Sequence, residues 1–275
     1  MIRASAAETC PPCLVELTEH PAIPEKPNAM PFQMPVQYDA EYDAMLEYLH
    51  YLHAKRPRPV AGFWPRIGTA YKPGGLMVVS RIVNGWREGF ETHDMTNGTL
   101  RASIIADRRA DAESAGNDPL AVLPAGGHPS LELSDPHWKL VHKVFARLNA
   151  EAASKPEWWS NLAWTALAKV GFADGGNPTE ALWYQQQDRC RNLFRIELQT
   201  LKPGFVLILA DDKSVRDFRL NDDVDWNLLD PVENVQFLGE SEEQKWFMVQ
   251  RWPEPEQTKI VDRIFKLLAG DDDDE

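Results

Sequence analysis

The sequence predicts a three-layer α/β/α domain built around a central, mostly parallel sheet. Three observations lead there: an apolar run at residues 75–80, a second at 205–210, and helical periodicity in the segments flanking both. Short runs of Val, Leu, Ile and Met suit strands buried on both faces, as in a parallel sheet covered by helices. The repeated alternation of strand and helix along the chain gives the same class. With 43% of its 275 residues apolar, the chain can fill the core of one such domain, expected over residues 37–270.

Residues 1–36 are rich in Pro, Glu and Ala without periodicity and are expected as an extended arm. Over residues 39–53, Tyr42, Met45, Leu46, Leu49 and Leu52 recur at helical spacing and predict an amphipathic helix. Pro57, Pro59, Pro65 and Pro73 then keep the chain extended up to the first strand, since a residue preceding proline avoids the helical region. That strand is expected at 76–80, and Asn84-Gly85 turns the chain after it. Residues 91–130 are polar and carry Asn97-Gly98, Asn117 and Gly126-Gly127. They read as an insertion of loops with one short element, able to cap the strand's end.

Asp135-Pro136 places an N-cap before a proline at the first helical position, with Trp138, Val141, Phe145 and Leu148 along one face. A strand or short buried segment follows Asn161. Residues 179–201 form a long helix with Trp183, Cys190, Leu193, Phe194, Ile196 and Leu201 inward, and Lys202-Pro203-Gly204 stops it before the strand at 205–210. A polar connection at 211–230, a last strand at 246–250, a closing helix at 256–268 and an acidic tail at 271–275 complete the chain.

No apolar run approaches the ~20 residues of a membrane span, and the first residues lack a signal-peptide core, so no membrane partner and a cytoplasmic location are expected. Three cysteines cannot make a disulfide framework. Cys10-Pro-Pro-Cys13 has the spacing of a zinc half-site or redox pair, but no second pair follows and His20 is the only further ligand nearby. It reads as part of the arm, with no metal site expected, and Cys190 reads as core.

The net charge of −13 opposes nucleic-acid binding taken whole, because phosphate neutralisation supplies most non-specific affinity. The distribution points the other way. Residues 54–87 contain no acid, while Lys55, Arg56, Arg58, Arg66, Lys72, Arg81 and Arg87 supply seven positive charges around the first strand. A basic mouth on an acidic body can hold a phosphodiester backbone, and solvated surface charge is the plainer alternative.

The string GLMVVSRIVNGW, the later WWSNLAW, the helix-plus-strand NPTEALWYQQQDRCRNLFRIELQTLKPGFVLILA and the closing WFMVQRWPEPE occur in an order that resembles the uracil-DNA glycosylase superfamily over residues 62–268. The resemblance implies that family's fold and a DNA glycosylase, a monomer that extrudes a nucleotide and hydrolyses its N-glycosidic bond to leave an abasic site, without a cofactor. It implies Asn84 as the water-positioning catalytic group, Asn161 as the residue reading the base edge, and Trp86 or Phe90 as the stacking ring. The basic stretch adds Arg56, Arg58 and Arg81 as expected DNA contacts, and the resemblance of the closing motif adds Arg251 and Pro253.

Two departures bear on specificity. Where several members carry an Asp or Asn early in the first motif, this chain has Ser80-Arg81-Ile82-Val83. Where the last motif usually has His-Pro, it has Arg251-Trp252-Pro253, and His128-Pro129 comes too early in the order. Glu88, Glu91 or Asp94 can stand in for the missing carboxylate. The departures favour a larger, modified pyrimidine, for example in phage DNA and hence in antiviral defence. Uracil repair and a catalytically silent nucleic-acid-binding module are the alternatives. Asn84 and Asn161 also have plain uses as turn residues, and Trp86 and Phe90 as core aromatics.

Overall fold

The computed structural model describes residues 32–53, 58–82, 89–114, 135–175, 178–217, 235–241, 244–250 and 253–270. Its central sheet has six described strands: β2 (Arg66–Ile67), β3 (Leu76–Ile82), β4 (Ala163–Ala168), β6 (Phe205–Leu209), β7 (Val235–Ser241) and β8 (Gln244–Val249). Their spatial order is β2-β4-β3-β6-β8-β7. The inner pairs β3/β4, β3/β6 and β6/β8 are parallel, and the edge strands β2 and β7 run antiparallel to their neighbours. The expectation that residues 76–80 and 205–210 are central and parallel holds, with Leu76 opposite Phe205 and Ser80 opposite Leu209. A two-stranded ribbon of β1 (Val60–Gly62) and β5 (Val170–Phe172) lies just beyond the end of β4.

Alternation of side chains sorts the inner strands onto two faces. Met77, Val79, Val206, Ile208, Trp246 and Met248 join one core with α1 (Val36–His53), α2 (Gly98–Ser114) and α5 (Glu180–Leu201). Leu76, Val78, Leu207, Leu209, Phe247 and Val249 join the other with α3 (Pro136–Leu148) and α7 (Gln257–Ala269). Three layers follow. The short α4 (Ala150–Ala153) continues from α3, and α6 (Asp212–Asp217) follows β6.

Local chemistry fixes the helix ends much as the sequence implies. Asp135 accepts from the His137 N–H with Pro136 in the first turn, and Thr179 accepts from the Leu182 N–H. Lys202 closes α5 in the left-handed region at φ 45°. Residues 115–130 lie outside the described residues; residues 91–114 depart from expectation, for a 17-residue helix, α2, stands where loops with a short element are expected. It was hard to see because its apolar face is narrow, with Ile104, Ile105 and Ala112 buried among charged residues. Arg101 anchors it through Asp43 (2.8 Å) and the Met95 carbonyl (2.9 Å).

A buried polar network ties the end of β4 to α5. Lys169 Nζ donates to Thr165 Oγ1 (2.6 Å) and the Ala166 carbonyl (2.6 Å) and pairs with Glu197 Oε1 (2.8 Å). Glu197 also accepts from the Tyr38 hydroxyl (2.6 Å) and from Thr165 (2.8 Å). Lys169 and Glu197 are fully buried, and every ammonium proton has a partner, which is the condition under which a buried pair offsets its desolvation. Gln186 reinforces the same corner by bonding both the N–H and the carbonyl of Val170 at 2.9 Å.

Candidate functional site

Read along the chain, the parallel strands β4-β3-β6-β8 stand second, first, third, fourth. The path leaves β3 to one side for β4 and then crosses to the other side for β6. The order therefore reverses between β3 and β6, and a crevice opens outside the carboxyl ends of such a pair. The residues leaving the sheet there are Ser80, Arg81 and Ile82 from β3, and Leu209, Ala210 and Asp211 from β6.

Alternation turns Ser80 and Arg81 to opposite faces. Ser80 is buried and its hydroxyl accepts from Trp164 Nε1 at 2.9 Å, bracing β3 against a side chain near the start of β4. Arg81 turns toward α5. Its guanidinium carbon lies 5.2 Å from the centre of the Trp183 ring, and Nε lies 3.4 Å from Asp211 Oδ2. Asp211 is held in turn by the Ser214 N–H (2.8 Å) and the Ser214 hydroxyl, 2.9 Å from each carboxylate oxygen. Partial burial pushes the Asp211 carboxyl up, but the Ser214 bonds and the Arg81 charge outweigh it and leave the group below its usual range. An ionised carboxylate and a guanidinium thus share the switch point. Around them stand exposed Tyr184 and Lys213, the latter 3.6 Å from Glu180.

The sequence-derived site residues divide. Asn84, Trp86, Arg56 and Arg251 lie outside the described residues, as does Glu88. Arg81 ends β3, and exposed Pro253 follows β8, whose Val249 pairs with Leu209, so both belong to the carboxyl end of the sheet. Phe90 bridges to Val60 beside the ribbon and packs half-buried against the core, a structural use of the ring.

Asn161 requires correction, since it precedes β4 and does not leave it. Ala163 pairs with Met77 and Ala168 with Ile82, so Asn161 lies at the amino end, about 20 Å of strand from the exit of β3. It cannot read a base in the crevice. Its Nδ2 donates to the Trp158 carbonyl at 3.2 Å, and with Lys72, Asn149 and Phe145 it lines a cleft of about 410 Å³ at the amino end.

Of the basic stretch, Arg58, Arg66, Lys72 and Arg81 are described, while Lys55, Arg56 and Arg87 lie outside the described residues. Arg58 makes a bidentate pair with Asp174 (2.6 and 3.1 Å), Arg66 is buried against Asp111 (2.6 Å), and Lys72 sits at the amino end. Acids distant in sequence thus pair with Arg58 and Arg66, two of the seven cations. Glu91 and Asp94 form a reciprocal capping box around a 3₁₀ turn, which spends both carboxylates on backbone N–H groups. The acid that does reach the crevice, Asp211, is the first residue of what the sequence presents as a polar connection. The signal that could have found it is its place immediately after the apolar run of β6, the counterpart of Arg81 after β3.

No described helix is long and apolar enough to cross a membrane, and no cluster of metal-ligating side chains occurs among the described residues. No protein-family model matches this chain, and neither does any curated protein.

Proposed function

We propose that this protein is a DNA glycosylase that hydrolyses the N-glycosidic bond of a modified pyrimidine nucleotide and leaves an abasic site. The observation that carries the reading is the coincidence of the topological switch point with the end of GLMVVSRI, the strand that resembles the superfamily's first motif. As the bond breaks, positive charge grows on the sugar and negative charge on the departing base, so fixed groups of both signs near the reacting centre lower the barrier. Arg81 and Asp211 supply them. Asp211 takes the part of the carboxylate missing from the first motif, as an anion facing the sugar, while Asn84 orients the attacking water. Arg251 and Pro253, in the segment following β8, contact the DNA. Neither a metal nor an organic cofactor enters these steps.

Enlarged pyrimidines, such as those of phage DNA, are the preferred substrates, because Ile82-Val83 replaces the small polar group of the first motif. The test incubates the protein with plain, uracil-containing and hydroxymethyluracil-containing duplexes and cleaves abasic sites with alkali. Strand breaks confined to the modified duplexes are expected. Breaks in the uracil duplex alone would replace the specificity with uracil repair, and intact DNA throughout would leave a nucleic-acid-binding module.

A further inference from the structure

We propose that Arg81 is the surface on which the extruded base stacks, with Trp183 and Asp211 as the positioning residues that fix its plane. The inference rests on the glycosylase reading and names the base-contacting group within it. Trp183 itself cannot serve, because it is 5% exposed and its ring is faced by the guanidinium 5.2 Å away. Phe90 is engaged with the core. The Arg81 side chain is 38% exposed, so its planar group is an aromatic-like surface that the crevice offers among the described residues; Trp86 lies outside them. Guanidinium planes stack on aromatic rings and on nucleobases alike, and a cation between an indole and a base gains from both π faces.

Three features make the plane rigid. The indole lies beside it; the Asp211 carboxylate attracts it as an ion pair, 3.4 Å from Nε without a hydrogen bond; and the buried Ser214 locks that carboxylate through its N–H and hydroxyl. No hydrogen bond from the terminal nitrogens of Arg81 falls among the described residues, which leaves those donors for carbonyl oxygens or a phosphate of the bound nucleotide. A lysine would keep the charge but lose the plane.

The experiment measures binding without turnover. Two duplexes are compared by fluorescence anisotropy, one carrying a hydroxymethyluracil nucleotide whose sugar bears a fluorine beside the glycosidic bond to block hydrolysis, the other a baseless tetrahydrofuran at the same position. Wild type is expected to favour the duplex that has the base. Arg81→Lys should lower that preference about 5- to 150-fold, the loss of one stacked base, with an unchanged salt slope because the charge remains. Trp183→Leu, checked for folding by circular dichroism, should lower it in the same direction.

An Arg81→Lys protein that keeps the full preference would overturn the inference, and so would one whose only change is a lower affinity for both duplexes. Wild type showing neither preference nor base release would instead remove the glycosylase reading beneath it. Base release by wild type together with an unaltered preference in Arg81→Lys would refute the stacking role alone.

Discussion

Replacing Lys169 by Met should destabilise the fold more than any surface change, and the structure sets the scale. The substitution removes an ammonium that contacts Glu197 at 2.8 Å, Thr165 at 2.6 Å and the Ala166 carbonyl at 2.6 Å, all without exposure to solvent. It leaves the Glu197 carboxylate buried with only the Tyr38 and Thr165 hydroxyls as donors. Breaking one side of such a pair costs about 3–5 kcal/mol, which for a domain of this size lowers Tm by roughly 6–20 °C. Removing both charges in Lys169→Met/Glu197→Leu orphans two hydroxyls, at about 1–3 kcal/mol each, so the double variant should lose less than the sum of the two single ones. Urea denaturation followed by circular dichroism supplies the cycle. A Lys169→Met protein with wild-type stability, or strictly additive costs, would refute the reasoning that these groups neutralise one another in the core.

Two further outcomes are expected. Burial pushes the His137 imidazole down to about 4, against a smaller upward pull from Asp135. A folded-state value below the unfolded ~6.5 means that the unfolded chain binds more protons between those limits, so stability should fall as pH drops from 6.5 to 4. The residue as a whole keeps some exposure, which holds the effect to about 2 kcal/mol or less, and the decline should be shallower in His137→Gln when unfolding is compared at pH 7 and 4.5. Burial also pushes the Cys190 thiol up to about 12, so it should resist alkylation at pH 8 until denaturant is added; labelling at native conditions, read by mass spectrometry, would contradict its place in the core.

Legibility tracked burial. The strands at Leu76–Ile82 and Phe205–Leu209 and the helix at Glu180–Leu201 were readable because long apolar runs and clear caps signal two-sided burial. The edge strand β2 and the ribbon were not, since two or three residues carry no period and pairing alone makes them strands, and the seven-residue edge strand β7, paired only with β8, was missed as well. Helix α2 hid its narrow apolar face among charges that find partners on α1, as Arg101 does in Asp43. The site was legible where strand direction was respected: Arg81, after a run, reaches the crevice. Asn161 stands before its run, and in a parallel sheet that single difference sends it to the opposite end. Net charge by segment is equally blind to pairing, because Arg58 and Arg66 meet Asp174 and Asp111 only in the fold.

The most direct measurement of the central claim is single-turnover base release by wild type and Asn84→Ala on one hydroxymethyluracil duplex, alongside the Kd of each for that DNA. An interaction made mainly in the transition state acts on rate, so the variant should lose about a hundredfold or more in release while its Kd changes by less than about threefold. Equal release rates, or a loss of rate matched by an equal loss of binding, would contradict a glycosylase built on the exit of β3.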